Sequence, residues 1–203
     1  MKIVIIDYGM GNIKSIISAF KYLGVEDIVL SNNIDEIKSA DKLILPGVGS
    51  FANAINNILE LQLNKILYEE VIVNKKPILG ICLGFQLMAN SSNEDGYNQG
   101  LGFINAKVEK FNKRDLKVPH VGFNQVNIKS NSILFNDIED LSDFYFTHSY
   151  KMQSEDNINQ SICDYGDEFI VSYEVDNIAG VQFHPELSQT NGLKLLENFI
   201  KSF

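Results

Sequence analysis

Cysteine is scarce in this 203-residue chain, which carries only Cys82 and Cys163. Two are too few for a disulfide framework, and their surroundings suggest a reducing cytosol. Basic residues are outnumbered, 17 against 26 acidic ones, for a formal charge of −9. A surface of that sign repels phosphate backbones, so nucleic acid is excluded as a general partner and only a local patch could hold a small anion. Long apolar runs are missing. Nothing approaches the roughly 18 residues of a membrane span, and the opening run, broken at once by Asp7, is too short for a signal peptide. Internal repeats and low-complexity linkers are also absent. The cysteines and histidines lack metal-ligand spacing, and neither metal nor cofactor is expected. The chain reads as a cytoplasmic protein without membrane association. At 45% hydrophobic and 21% charged residues, it suits one well-filled α/β domain spanning residues 1–203.

What is present is alternation. Residues 2–7 carry consecutive apolar side chains, the mark of a strand buried on both faces. A helix is expected over 12–23, with Ile13, Ile16, Ile17 and Phe20 on one face and Gly24 as its stop. Strands at 27–30, 42–45 and 77–81 then alternate with helices at 35–40, 51–73 and 83–89. That order predicts a mostly parallel central sheet with helices on both faces. From residue 102 the chain is β-rich, with runs at 103–111, 121–129, 143–146, 169–175 and 178–183. These are expected as antiparallel strands appended to the parallel sheet. A closing helix over 191–202 carries Leu193, Leu196, Phe199 and Ile200, and the polar stretch 91–99 is expected to be a mobile loop.

Chemistry concentrates in three segments. In Gly80-Ile81-Cys82-Leu83-Gly84-Phe85-Gln86 a buried strand runs straight into a helix, with the cysteine at the turn, as in a nucleophile elbow carrying sulfur. The glycines let the backbone turn tightly. A helix N-terminus favours thiolate at Cys82, and the Leu83 N–H is placed to hold a developing oxyanion. In Gln182-Phe183-His184-Pro185-Glu186, residues two apart on extended chain share a face. His184 can thus take the thiol proton while Glu186 orients its ring. The other histidines, His120 and His148, have no carboxylate two residues on. In Pro46-Gly47-Val48-Gly49, at the end of a parallel strand, the Val48 N–H could complete an oxyanion hole, although the segment also reads as an ordinary strand-to-helix turn. The early Gly9 and Gly11 lack the third glycine of a dinucleotide fingerprint and the Gly-Lys of a P-loop.

With these residues in place the chain resembles the class I glutamine amidotransferases, and within them the glutaminase subunits of imidazole glycerol phosphate synthases. Beyond the elbow and the His-Pro-Glu, the carriers are Asp7-Tyr8-Gly9-Met10-Gly11-Asn12, Gly100-Leu101-Gly102-Phe103-Ile104, Val118-Pro119-His120-Val121-Gly122-Phe123-Asn124 and Tyr145-Phe146-Thr147-His148-Ser149-Tyr150. The resemblance implies a flavodoxin-like sheet and a Cys82-His184-Glu186 triad that hydrolyses L-glutamine through a glutamyl thioester. It also implies an oxyanion hole from Val48 and Leu83. Substrate contacts are implied for Gly47, Gly49, Gln86, Glu94, Ser149 and Tyr150, with Glu94 on the α-ammonium and Ser149-Tyr150 on the α-carboxylate. Ammonia would pass to a (β/α)8 cyclase subunit in a heterodimer.

Two positions depart from that pattern. Phe123 stands where the family usually shows Trp, and Leu187 where it shows Lys or Arg, both facing the cyclase. They leave open a different ammonia recipient, an ATP-dependent sugar amidotransferase of surface-polysaccharide synthesis. A partner-independent cysteine hydrolase and a non-catalytic binding module are the readings furthest from the pattern.

Overall fold

The computed structural model describes residues 1–111 and 116–203. Its first half alternates as the periodicity predicts: β1 (Lys2–Ile6), α1 (Ile13–Tyr22), β2 (Asp27–Ser31), α2 (Ile34–Ser39) and β3 (Lys42–Leu45). The consecutive apolar residues of β1 divide between two cores. Val4 and Ile6 pack with Phe51, Ile58 and Leu67 on one face of the sheet, while Ile3 and Ile5 pack with Phe20, Leu195 and Phe199 on the other. Each such fully buried aliphatic side chain contributes about 1.5–3 kcal/mol.

The long helix expected over 51–73 is broken. α3 (Phe51–Glu60) and α4 (Leu63–Leu67) are separated by a left-handed Gln62 at φ +56°, and a π-helical turn, Tyr68–Val73, follows. The reason is phase. α3 buries Phe51, Ala54, Ile55 and Ile58, and a continuous helix would next present Gln62 and Lys65 to the core. The break resets the rotation so that Leu63, Ile66 and Leu67 point inward instead.

Strand β4 (Ile78–Ile81) feeds α5 (Leu83–Leu87), which stops two residues earlier than expected. Ala89 opens β5 (Ala89–Ser92), and β6 (Asn98–Gln99) pairs back onto it. The expected mobile loop over 91–99 is thus largely an edge hairpin. The remaining strands are β7 (Ile104–Lys110), β8 (His120–Val126), β9 (Ser142–His148), β10 (Tyr150–Gln153), β11 (Ser161–Asp164), β12 (Glu168–Val175) and β13 (Ile178–Val181), before α6 (Gln189–Ser202). β10 and β11 are too short, at four residues each, for their alternation to stand out in the sequence.

Among the described residues eleven strands share one sheet, in the order β2-β1-β3-β4-β13-β12-β10-β7-β5-β6, with β11 beside β12; β8 and β9 form a separate ribbon. The parallel body is β2-β1-β3-β4-β13. The 121–129 and 143–146 runs, expected as strands appended to the sheet, instead form the separate β8-β9 ribbon. The 178–183 run was expected among the appended antiparallel strands, yet β13 lies parallel to β4, with Ile178 opposite Ile78 and Val181 opposite Ile81. It is antiparallel only to β12. That register brings Cys82 and Gln182 out of the sheet at the same level.

Candidate active site

Cys82 sits between β4 and α5 at φ +54°, ψ −108°, a backbone region that non-glycine residues avoid and that functional sites retain. The cysteine itself takes the positive φ, not the neighbouring glycines. Their contribution is steric. A Cβ on Gly84 would land on the Leu45 carbonyl, and one on Gly47 would meet the Tyr8 hydroxyl and come within 2.8 Å of the Leu83 Cβ. Only glycine lets the end of β3 lie against the elbow.

Three backbone bonds then weld the elbow to its surroundings. The Cys82 N–H donates to the Val181 carbonyl at 2.8 Å, tying the cysteine to the end of β13. The His184 N–H donates to Tyr145 of β9 at 2.9 Å. The Leu83 N–H donates to the Gly47 carbonyl at 3.3 Å, so this proposed oxyanion donor is engaged by the glycine loop. Val48 sits at the rim, partly exposed.

His184 is 3% exposed, and its Nδ1 lies 2.9 Å from the Glu186 carboxylate, whose side chain is fully buried. Asn12, from the Asp-Tyr-Gly segment, donates to the same Glu186 oxygen at 3.5 Å. The other ring nitrogen, Nε2, is buried and makes no hydrogen bond. Burial alone would lower the His184 pKa; the contacts and charges of Cys82 and Glu186 outweigh it and raise the value to about 10. A ring that keeps its proton to that pH enters the reaction as an acid. His120 and His148 behave oppositely. Burial pushes them down to about 4 and about 3, and their rings bond each other at 3.1 Å.

In front of the sulfur lies a cavity of about 240 Å³, lined by Val48, Gly49, Leu83, Gln86, Glu94, Ser149 and Tyr150 among others. That is smaller than pockets for drug-sized ligands and of a scale for an amino acid. Gly47 is not part of the lining; it supports the wall from behind. The Glu94 carboxylate accepts the Phe51 N–H at 2.9 Å. Burial raises its pKa, the Phe51 bond opposes that, and Asp95 adds to the rise. The lining also includes Pro119, Thr147 and His148, which the sequence reading did not assign to the site. The Cys82 thiol points to the Thr147 carbonyl at 3.9 Å. All three of these missed residues lie inside motifs that carried the resemblance, so the signal was present without a geometry to place it. Among the described residues, no group of three or more His, Cys, Asp or Glu gathers to hold a metal ion.

A buried cysteine on a strained turn, a carboxylate-held imidazole and a small polar cavity make up a candidate nucleophilic site. The family profile described as glutamine amidotransferase class-I matches residues 4–203.

The chain belongs to the class I glutamine amidotransferase family.

It is 46% identical to imidazole glycerol phosphate synthase subunit HisH 2 of Vibrio vulnificus over 98% of this chain and 94% of that protein. It is 48% identical to the protein of the same name from Methanococcus maripaludis, over 98% of each. The solved structure of a glutamine amidotransferase from Thermotoga maritima superposes with a TM-score of 0.66 at 17% identity, covering 98% of this chain and 82% of that one. This last likeness speaks to the amidotransferase fold alone. No helix among the described residues is long and apolar enough to cross a membrane. Outside the cavity, Phe123 is 50% and Leu187 39% exposed, and Phe123 packs edge-on against Tyr145 with ring centroids 5.5 Å apart.

Proposed function

We infer that this chain is the glutaminase subunit of an imidazole glycerol phosphate synthase, hydrolysing L-glutamine to glutamate and ammonia and delivering the ammonia to a (β/α)8 cyclase in histidine biosynthesis. The observation that carries this reading is the buried His184 imidazole held by the Glu186 carboxylate at 2.9 Å, just past the end of β13, the strand that lies parallel to and beside the one ending at Cys82.

In this mechanism His184 enters as the imidazolium, already holding the proton that the Cys82 sulfur gives up, and the sulfur forms a bond to the side-chain amide carbon of glutamine. Charge moves to the carbonyl oxygen, where the N–H groups of Val48 and Leu83 receive it. For Leu83 this requires exchanging the Gly47 carbonyl for the oxyanion, a rearrangement suited to partner control. The carbon–nitrogen bond then breaks, and the imidazolium proton leaves with ammonia. Water adds to the thioester with His184 as base, and the carbon–sulfur bond breaks to release glutamate and restore the sulfur. Glu186 holds the ring throughout, aided by Asn12. Glu94 meets the substrate α-ammonium, Ser149 and Tyr150 the α-carboxylate, and Gln86 the pocket wall.

The exposed faces of Phe123 and Leu187 are where the cyclase would dock. Because they are apolar where the family favours Trp and a cation, the recipient is the part of the reading to test. Glutaminase rate is measured for the chain alone, with a (β/α)8 cyclase, and with an ATP-dependent sugar amidotransferase. We expect weak activity alone and a rise of at least about tenfold with the cyclase. A rise with the sugar amidotransferase only would overturn the histidine assignment and leave the glutaminase chemistry standing.

A further inference from the structure

Gln182 is completely buried and does not line the substrate cavity, yet its side chain reaches the nucleophile. Its amide nitrogen lies 3.8 Å from the Cys82 sulfur, and its amide oxygen accepts from the Gln86 nitrogen at 2.7 Å. Chemistry forces this orientation. The Gln86 nitrogen also donates to the Tyr150 backbone carbonyl at 3.1 Å, and a carbonyl can only accept, so the Gln86 end facing it must be the NH2 group. That same NH2 group faces Gln182, whose near end must then be the oxygen. The far end, against the sulfur, is therefore a donor. The Tyr150 carbonyl is itself held from a second side by Nδ1 of His148 at 2.7 Å, so the chain of amides is anchored at its start.

We propose that Gln182 is a further catalytic residue of the glutaminase reaction: its N–H, aimed by Gln86, donates to the Cys82 sulfur wherever that sulfur carries negative charge. This rests on the assignment of Cys82 as nucleophile. The sulfur is negative twice in the cycle, before attack on the amide carbon and again as it leaves the thioester with the carbon–sulfur electron pair. A hydrogen bond to a charged acceptor is stronger than one to a neutral acceptor. Gln182 therefore favours thiolate over thiol and makes sulfur a better leaving group. It touches no part of the substrate, so its loss lowers kcat and leaves KM nearly unchanged.

The test substitutes Gln182→Met, which keeps the volume and removes the donor. Iodoacetamide alkylation of Cys82 is followed from neutral to strongly alkaline pH, and kcat and KM for glutamine are measured with the cyclase present. At neutral pH alkylation should slow about tenfold, converging on the wild-type rate once the thiol is fully ionised. kcat should fall by a similar factor at constant KM. Slowing of the same size at every pH means a merely structural role and overturns the proposal, as do unchanged alkylation and kcat. If Gln182→Met does not fold, the wild-type protein carries the test. The Gln182 side-chain amide proton resonances should move as Cys82 ionises and stay still in Cys82→Ala, and resonances that do not move in the wild type overturn the proposal. Glutamine turnover retained by Cys82→Ala would instead refute the underlying nucleophile assignment.

Discussion

Three histidines in this chain show how partners, not residue type, decide protonation. His120 and His148 face each other and aromatic rings, and burial holds them neutral. His184 is as buried but has a carboxylate at 2.9 Å and the cysteine beyond, and its value rises to about 10. The stability consequence has a definite sign. A folded value above the ordinary 6.5 contributes stability that is complete below about pH 6.5 and is lost as pH rises through about 10. Glu186→Gln removes the carboxylate charge behind part of that rise. The gap in unfolding temperature between wild type and Glu186→Gln should be wide at pH 6.5 and close above pH 10, with kcat down about a hundredfold; a gap constant across pH 10 would show that the ring is not held this way. Cys82, His184 and Glu186 were legible because each is chemically distinctive and sits in a short motif. Gln182 was not. It stands two residues before His184, but an amide beside a cysteine becomes visible only once β4 and β13 are known to be neighbours.

At the scale of elements, sequence periodicity identified the parallel β-α half because β1, β3 and β4 are buried on both faces and the longer helices carry wide apolar stripes. It missed the break at Gln62, where helical phase rather than composition decides. It also missed β10 and β11, four residues each, whose pairing comes from the longer strands β7 and β12 beside them. The most consequential error was pairing, since alternation within residues 178–183 cannot reveal whether the neighbour runs parallel. Close approach of elements makes its own prediction. A Cβ on Gly84 would collide with the Leu45 carbonyl, so Gly84→Ala must push α5 away from the end of β3 and carry Cys82 with it. Denaturant unfolding should show a loss of about 1–3 kcal/mol, and glutamine turnover should fall more than that stability loss explains. Wild-type stability and turnover in Gly84→Ala would mean the elbow is not set by this contact.

The whole molecule places Cys82 beneath the β8-β9 ribbon, where the Thr147 carbonyl of β9 meets the sulfur and Tyr145 holds the His-Pro-Glu segment. The second cysteine provides an internal control. Cys163 is buried on β11, and burial, helped by the Asp164 charge, pushes its thiol up to about 12, which leaves it inert as a nucleophile at neutral pH. The central claim is that glutamine is opened by sulfur at the bend after β4. Its most direct measurement is mass spectrometry of the protein quenched in acid during turnover of glutamine with the cyclase present, then digested. The account predicts a glutamyl adduct on the peptide bearing Cys82, absent from the Cys163 peptide and absent from Cys82→Ala. An adduct on Cys163, or steady turnover in Cys82→Ala with no adduct on any cysteine, would contradict it.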